Sequence, residues 1–81
     1  MEPARGLIVC ATAGRDKDRY FVITEADGGY AFIADGKTRK LERPKRKIAK
    51  HLSMTGRELA LTQMTDRKLR NLLKEFTEQN P

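Results

Sequence analysis

The sequence lacks most of the residues on which small enzymes and metal-binding domains depend. Its 81 residues include no tryptophan, one cysteine and one histidine. A single cysteine can form neither an internal disulfide nor a zinc cluster, and one cysteine with one distant histidine cannot make a catalytic triad. A chain of this length also buries only about 60% of its unfolded surface, which disfavours a deep catalytic pocket. We therefore expect one small non-enzymatic domain with no metal, no cofactor and no small-molecule substrate.

Long apolar runs are absent as well. No stretch approaches the roughly 20 apolar residues of a membrane-spanning helix, and residues 1–5 lack the apolar core of a signal peptide. Scarcity of cysteine is also typical of proteins in a reducing compartment. These features predict a cytoplasmic protein that has no membrane partner.

Positive charge is abundant but confined to one segment. The chain has 17 lysines and arginines against 11 aspartates and glutamates, for a net charge of +6. Residues 37–51 contain eight of the basic residues and one acid, Glu42, so the rest of the chain is close to neutral. A local basic stretch on a balanced protein is typical of a surface that binds a polyanion. A solvated surface run and a nuclear-import peptide, which residues 44–47 resemble, are the alternatives.

Short apolar runs separated by turn residues predict an antiparallel meander. Residues 7–11 and 20–24 consist of strand formers, and the polar turn 13–19 separates them. Asp27-Gly28-Gly29 predicts a tight hairpin into a third strand at 30–34, and Asp35-Gly36 predicts a second turn into 37–41. Because Pro44 cannot donate a ladder hydrogen bond, we expect residues 42–47 to leave the sheet as an exposed loop. Residues 48–52 are a candidate last strand.

The C-terminal part has helical periodicity. The apolar positions at one-turn spacing are Leu69, Leu72, Leu73 and Phe76. Thr65 is a suitable N-cap, and Met64 and Leu69 can form a hydrophobic staple. The pattern predicts a helix over about 66–78 that packs on the sheet, which explains why the second and third strands are apolar on both faces. Its polar side, Arg67, Arg70 and Lys74, either extends the basic surface or is merely solvated, and the spacing favours the solvated face.

Few side chains elsewhere are candidates for chemistry. Cys10 lies in an apolar strand without a nearby cation, so packing is a better explanation for it than nucleophilic catalysis. The aspartates in the turns have adequate turn roles, and no spacing matches a calcium loop. His51 follows Lys50 in the basic segment, where phosphate contact, base stacking and packing all remain open.

Several motifs, taken together, resemble those of one family. Gly6-Leu7-Ile8-Val9 through Gly14 and on to Phe21-Val22-Ile23 resembles a KOW motif, in which a glycine-bearing turn joins two apolar strands. The likeness continues through Ala34-Asp35-Gly36-Lys37-Thr38-Arg39-Lys40, Lys50-His51-Leu52, Thr55-Gly56 and Met64-Thr65-Asp66. This order resembles the bacterial KOW-domain RNA-binding proteins grouped with the large-subunit ribosomal proteins fourteen-e, six-e and twenty-seven-e. One departure is Asp18, where many members carry glycine; aspartate tolerates left-handed backbone, but its charge weakens the case for phosphate contact by this turn.

The resemblance implies a mainly β fold, an SH3-like five-stranded barrel over residues 5–54 with a C-terminal extension, 55–81, that carries the helix. It implies a ribosome-associated translation protein, part of a ribonucleoprotein, whose loops bind ribosomal RNA. Because aromatics do not interleave with the basic residues, we expect contacts to the RNA backbone and shape more than base stacking. The candidate RNA-binding residues are Lys37, Arg39, Lys40, Arg43, Lys45, Arg46, Lys47, Lys50 and His51, with Arg15, Lys17 and Arg19 in the first turn.

Two other functions are compatible with the sequence. KOW domains of transcription elongation factors resemble this chain and contact protein partners, including polymerase. In such an adaptor the surface of Tyr20, Tyr30 and Phe32 would matter more than the basic segment. The other function, non-specific DNA binding, would give equal affinity for duplex DNA and ribosomal RNA at matched salt. The sequence does not distinguish a constitutive ribosomal component from an assembly or regulatory factor.

Overall fold

A computed structural model describes residues 2–80 as one antiparallel sheet with a helix on one face. The strands are β1 (Leu7–Ala11), β2 (Tyr20–Asp27), β3 (Tyr30–Ala34), β4 (Lys45–Ile48) and β5 (Leu52–Glu58). A 3-10 turn, Ala49–His51, joins β4 to β5, and the helix α1 spans Asp66–Gln79. The strand order is β4-β3-β2-β1-β5, so β4 and β5 are the edges and the sheet is open. The mainly β prediction is confirmed, whereas closure into a barrel is not.

The first three strands lie where the sequence places them. β1 and β3 have the predicted bounds, and β2 continues beyond Thr24 because residues 25–27 still pair with β3 after a bulge between Ile23 and Glu25. Asp27 and Tyr30 are a register pair, which leaves Gly28 and Gly29 as a two-residue hairpin loop. The Asp-Gly-Gly signal therefore predicts this hairpin correctly.

The prediction for the basic segment is wrong in three places. Residues 37–41 form no strand, residues 45–48 belong to the sheet as β4, and most of 48–52 is the 3-10 turn. Pro44 precedes β4 and lies outside its paired residues. An edge strand, moreover, needs hydrogen bonds along only one of its two sides. β4 uses that side to pair with β3, from Ile33↔Lys45 to Tyr30↔Ile48. A lysine-rich strand at a sheet edge also resists pairing with other chains.

Apolar side chains pack on both faces of the sheet. One cluster contains Leu7, Val9, Ala11, Phe21, Ile23, Ala31, Ile33 and Leu52. The other contains Ile8, Val22 and Ala34 from the sheet with Leu69, Leu73 and Phe76 from α1. The alternation in β1 sends Ile8 to the helix side and its neighbours to the opposite side. The predicted packing of α1 on the sheet is confirmed.

The start of α1 depends on one threonine side chain. Thr65 has extended backbone, and its Oγ1 accepts a hydrogen bond from the Lys68 backbone N–H at 3.2 Å. We expect Thr65→Ala to lower the free energy of unfolding by about 1 kcal/mol, because an N–H of the first turn loses its acceptor. Urea denaturation measures the change, with Thr62→Ala in the preceding turn as the control. Equal stability of Thr65→Ala and Thr62→Ala would contradict a capping role.

No helix within residues 2–80 has the length and apolar character that crossing a bilayer requires.

Candidate nucleic-acid interface

The carboxylate of Asp35 shapes the first half of the basic segment. Its Oδ1 accepts hydrogen bonds from the backbone N–H groups of Lys37 at 3.0 Å and Arg39 at 2.8 Å. Its Oδ2 accepts from Nη2 of Arg19 at 3.0 Å, and the same nitrogen donates to Thr38 Oγ1 at 3.0 Å. Because a buried side chain satisfies these backbone groups, residues 37–41 are fixed as a loop instead of a strand.

The same loop is attached to the start of α1. The Leu41 backbone N–H donates to Asp66 Oδ1 at 2.8 Å, and Arg70 Nη1 donates to the Gly36 carbonyl at 2.7 Å. Leu41 packs with the apolar cluster beneath the helix. The loop therefore has a defined position relative to the helix and does not hang free as a basic tail.

Asp16, in the turn between β1 and β2, gathers cations from three parts of the chain. Its side chain is 3% exposed, and its carboxylate lies 3.0 Å from Lys45 Nζ, 3.8 Å from Arg39 Nη2 and 3.9 Å from Arg19 Nη1. Burial acts to raise the pKa of Asp16, but the Lys45 hydrogen bond and the charges of Lys45, Arg39 and Lys47 outweigh it, so the pKa lies below its ordinary value of 3.8. Asp16 is therefore an ionised anchor, a role beyond the turn chemistry that the sequence suggests.

Side chains of β4 alternate between anchored and outward cations. On one face Lys45 bonds to Asp16, and Lys47 Nζ donates to the Ala13 carbonyl at 2.9 Å. On the other face the Arg46 guanidinium lies 3.7 Å from the centroid of the Tyr30 ring. The lysines of β4 thus attach the strand to the turn between β1 and β2. Arg46 lies on the other face, over the ring of Tyr30.

The predicted RNA-binding residues therefore fall into distinct groups. Those held by acids or a carbonyl are Arg19, Arg39, Lys45 and Lys47. Those that are exposed and have no carboxylate within ion-pair distance among residues 2–80 are Arg15, Lys17, Lys37, Lys40, Arg43 and Lys50. Arg46 is exposed and stacked on Tyr30, and His51 is half-buried in the 3-10 turn with its carbonyl accepting from the Thr12 N–H at 2.8 Å.

The turn before β2 holds an aspartate in left-handed backbone. Asp18 has φ of 70°, the left-handed conformation that glycine adopts easily and aspartate tolerates. Its side chain is exposed, and its backbone N–H donates to the Ala11 carbonyl at 2.8 Å. The turn therefore retains its hydrogen bonding with a negative charge at the surface.

An open groove of about 690 Å³ lies between the loop 35–40, the start of β2 and the outer side of α1. Its basic lining comes from Arg19 in the turn, Lys37 and Lys40 in the loop, and Arg70 and Lys74 on the helix. The sequence favours a merely solvated face for the two helix residues. Their spacing of one turn is visible in the sequence, but their position opposite Lys37 and Lys40 depends on how the loop is attached to α1.

Cys10 and the acidic side chains are the other candidates for chemistry that the sequence offers. Burial, with a smaller effect from the Asp18 charge, raises the pKa of the half-buried Cys10 thiol, which disfavours a reactive thiolate. Within residues 2–80 no three acidic, histidine or cysteine side chains are grouped so as to hold a metal ion.

Neither a scan against protein-family models nor a search of curated proteins finds a match for this chain.

Proposed function

We propose that this protein binds structured RNA through its basic segment and the adjoining turn, with ribosomal RNA of the large subunit as the target. The observation that carries the proposal is the division of the cations into a set bound by carboxylates or a carbonyl and an exposed set with no carboxylate within ion-pair distance among residues 2–80. Asp16 and Asp35 pair with Arg19, Arg39 and Lys45, while Lys37, Lys40 and Arg43 are exposed on a fixed loop with no carboxylate within ion-pair distance among residues 2–80. Exposed cations on a rigid support match the regular charges of a nucleic-acid backbone.

Rigidity of the loop increases the affinity expected from these charges. A disordered basic tail loses conformational entropy when it binds, whereas a loop already fixed by Asp35 and Asp66 loses little. Each phosphate neutralised by lysine or arginine also releases condensed counterions. Binding therefore combines a strong salt dependence with a defined orientation of the protein on the RNA.

The choice of ribosomal RNA rests on the KOW resemblance. We propose that the sheet belongs to the SH3-like barrel class and that the chain is a ribosome-associated KOW protein of the cytoplasm. Three features support this class: β1 pairs with both β2 and β5, β4 pairs with β3, and a 3-10 turn links the two edge strands. Crosslinking in cells, with sequencing of the attached RNA, tests the assignment to the large subunit.

The basic loop is tested by a charge-removing pair that leaves the anchored cations intact. We expect Lys37→Gln with Arg43→Gln to weaken binding to a structured ribosomal RNA fragment about 10- to 30-fold at 0.1 M salt. The slope of log affinity against log salt should become less steep by about 1.5, since each phosphate contact contributes about 0.7 to 0.9. Fluorescence anisotropy over a salt series measures both quantities.

A second pair controls for the loss of net charge alone. Arg67→Gln with Lys68→Gln removes the same charge from exposed positions on α1 outside the groove. We expect this pair to keep the wild-type slope. If the two pairs change the slope equally, the loop is not the docking surface and only the overall charge matters.

A protein-interaction adaptor is the second candidate, and one surface favours it. Tyr30 and Ile48 are 37% and 40% exposed, they are register partners on β3 and β4, and Arg46 stacks on Tyr30. Exposed aromatic, aliphatic and arginine side chains are typical of protein interfaces. Pull-down of polymerase that resists nuclease treatment would favour the adaptor, whereas co-purification with large ribosomal subunits that is lost after RNA digestion would favour RNA binding.

A further inference from the structure

The groove between the loop 35–40 and α1 differs in kind from the exposed cations around it, because it is concave. It is a shallow recess of about 690 Å³ that stays open to solvent, so a ligand in it would be covered on one side only. We propose that it binds one unpaired nucleotide of the RNA, with the flanking phosphates on Lys37, Lys40, Arg70 and Lys74. This inference rests on the proposed RNA binding and names the part of the RNA that the protein recognises.

The charge in the groove favours an anionic ligand. Lys37, Lys40 and Lys74 are exposed and have no carboxylate within ion-pair distance among residues 2–80. Arg70 is half-buried, and its bond to the Gly36 carbonyl uses Nη1, which leaves the N–H groups of its other nitrogens for a phosphate. Two acidic residues line the groove, Asp35, whose carboxylate is bound by Arg19 and two backbone N–H groups, and the exposed Asp18. The cations of the lining outnumber them.

Beside the cations, the groove has groups suited to the base and sugar. The Asn71 side chain is exposed on α1 and can both donate and accept hydrogen bonds. Thr77 donates its hydroxyl hydrogen to the Leu73 carbonyl at 2.8 Å, so its oxygen acts as an acceptor toward a ligand. Tyr20 adds an aromatic surface, held edge-on against Phe76 with ring centroids 5.0 Å apart. Neutral hydrogen-bonding and aromatic groups would be unnecessary in a site that bound phosphate alone.

The concave shape selects an unpaired nucleotide over a paired one. In an RNA duplex the bases are stacked inside, and the deep major groove does not present their edges to side chains. The described residues, 2–80, extend 28 Å along their longest axis, and the groove occupies only one side of them. A bulged, looped or terminal nucleotide can enter such a groove, whereas a paired nucleotide would first have to be extruded at a cost in stacking and pairing.

Two hairpin RNAs of the same stem sequence test this inference, one fully paired and one with a single-nucleotide bulge. We expect the wild-type protein to bind the bulged hairpin about tenfold more tightly. The variant Asn71→Ala with Thr77→Val keeps every charge and should lose that preference, because two hydrogen bonds to the unpaired nucleotide are removed. Binding to the paired hairpin should be unchanged. In the control, Thr62→Val with Gln79→Ala, the preference should be retained.

NMR spectroscopy tests directly whether the RNA contacts the groove. In nitrogen-15 spectra of the wild-type protein, the Asn71 side-chain amide should shift when the bulged hairpin is added, and should shift little with the paired one. Equal binding of both hairpins, or an unaltered preference in Asn71→Ala with Thr77→Val, would overturn the groove inference and leave RNA binding intact. Failure of both hairpins and of ribosomal RNA to bind would instead overturn the proposed function, and the groove site with it.

Discussion

Asp16→Asn should lower the free energy of unfolding by about 2 to 3 kcal/mol. The substitution removes the charge of a buried carboxylate that lies within ion-pair distance of Lys45, Arg39 and Arg19. Breaking a buried ion pair from one side leaves the remaining charges uncompensated, although part of this cost is relieved because Lys45 and Arg39 are each 33% exposed. The expected loss is large for a chain of this size. Urea denaturation at neutral pH measures it.

Asp18→Asn is the matched control, because it removes the same charge from the same turn at an exposed position. It should change stability by less than about 0.5 kcal/mol. The double variant Asp16→Asn with Lys45→Met should be more stable than the sum of the two single changes predicts, since each single change leaves the other side chain without its partner. Strict additivity would show that the contact between Asp16 and Lys45 contributes nothing to stability.

Lowering the pH should reduce the contribution of Asp16 to the stability of the fold. The folded-state pKa is lowered below the ordinary value of 3.8, so the ionised group stabilises the fold fully above the unfolded pKa. That stability is lost as the pH falls through the folded pKa. The difference in the free energy of unfolding between the wild-type protein and Asp16→Asn should therefore be constant above about pH 5 and should become smaller below about pH 4.

Gly36→Ala should destabilise the protein by about 3 kcal/mol and disturb the groove. Gly36 has φ of 76°, where an L-residue costs about 1 to 2 kcal/mol. An added Cβ would also collide with the Asp66 backbone, its carbonyl carbon at 3.0 Å and its carbonyl oxygen closer still. Since neither backbone can move without separating the loop from α1, overpacking adds a further 1 to 3 kcal/mol. Thermal and urea denaturation measure the loss.

Two other glycines separate the causes of this effect. Gly28 has φ of 61° with no heavy atom within 4 Å of a Cβ, so Gly28→Ala should show the backbone cost alone, about 1 kcal/mol. Gly29 has no such atom within 4 Å either and lacks a positive φ, so Gly29→Ala should be nearly neutral. Equal losses of stability in Gly36→Ala and Gly28→Ala would mean that the loop around Gly36 shifts to accommodate the Cβ at no energetic cost.

Local patterns were sufficient for the first three strands and for the helix. β1, β3 and the hairpin at Gly28-Gly29 follow from strand formers and turn residues that are adjacent in the chain. The helix α1 follows from its apolar period and from the Thr65 cap, whose signals lie within a few residues of one another. The Pro44 signal wrongly predicted a loop in place of β4, because β4 pairs with β3 and its lysines contact Asp16 and Ala13, which lie far away in the sequence.

The sequence by itself determined that this protein has a basic segment on an otherwise nearly neutral chain, because charge is a property of composition and position. Only the tertiary structure decided which cations face outward, since three of the four ion pairs with Asp16 and Asp35 join residues 16 to 29 positions apart. It likewise decided that Lys37 and Lys40 share a groove with Arg70 and Lys74. Long-range contacts of this kind follow from how the loop and the helix pack on the sheet, and the local periodicity of the sequence does not predict them.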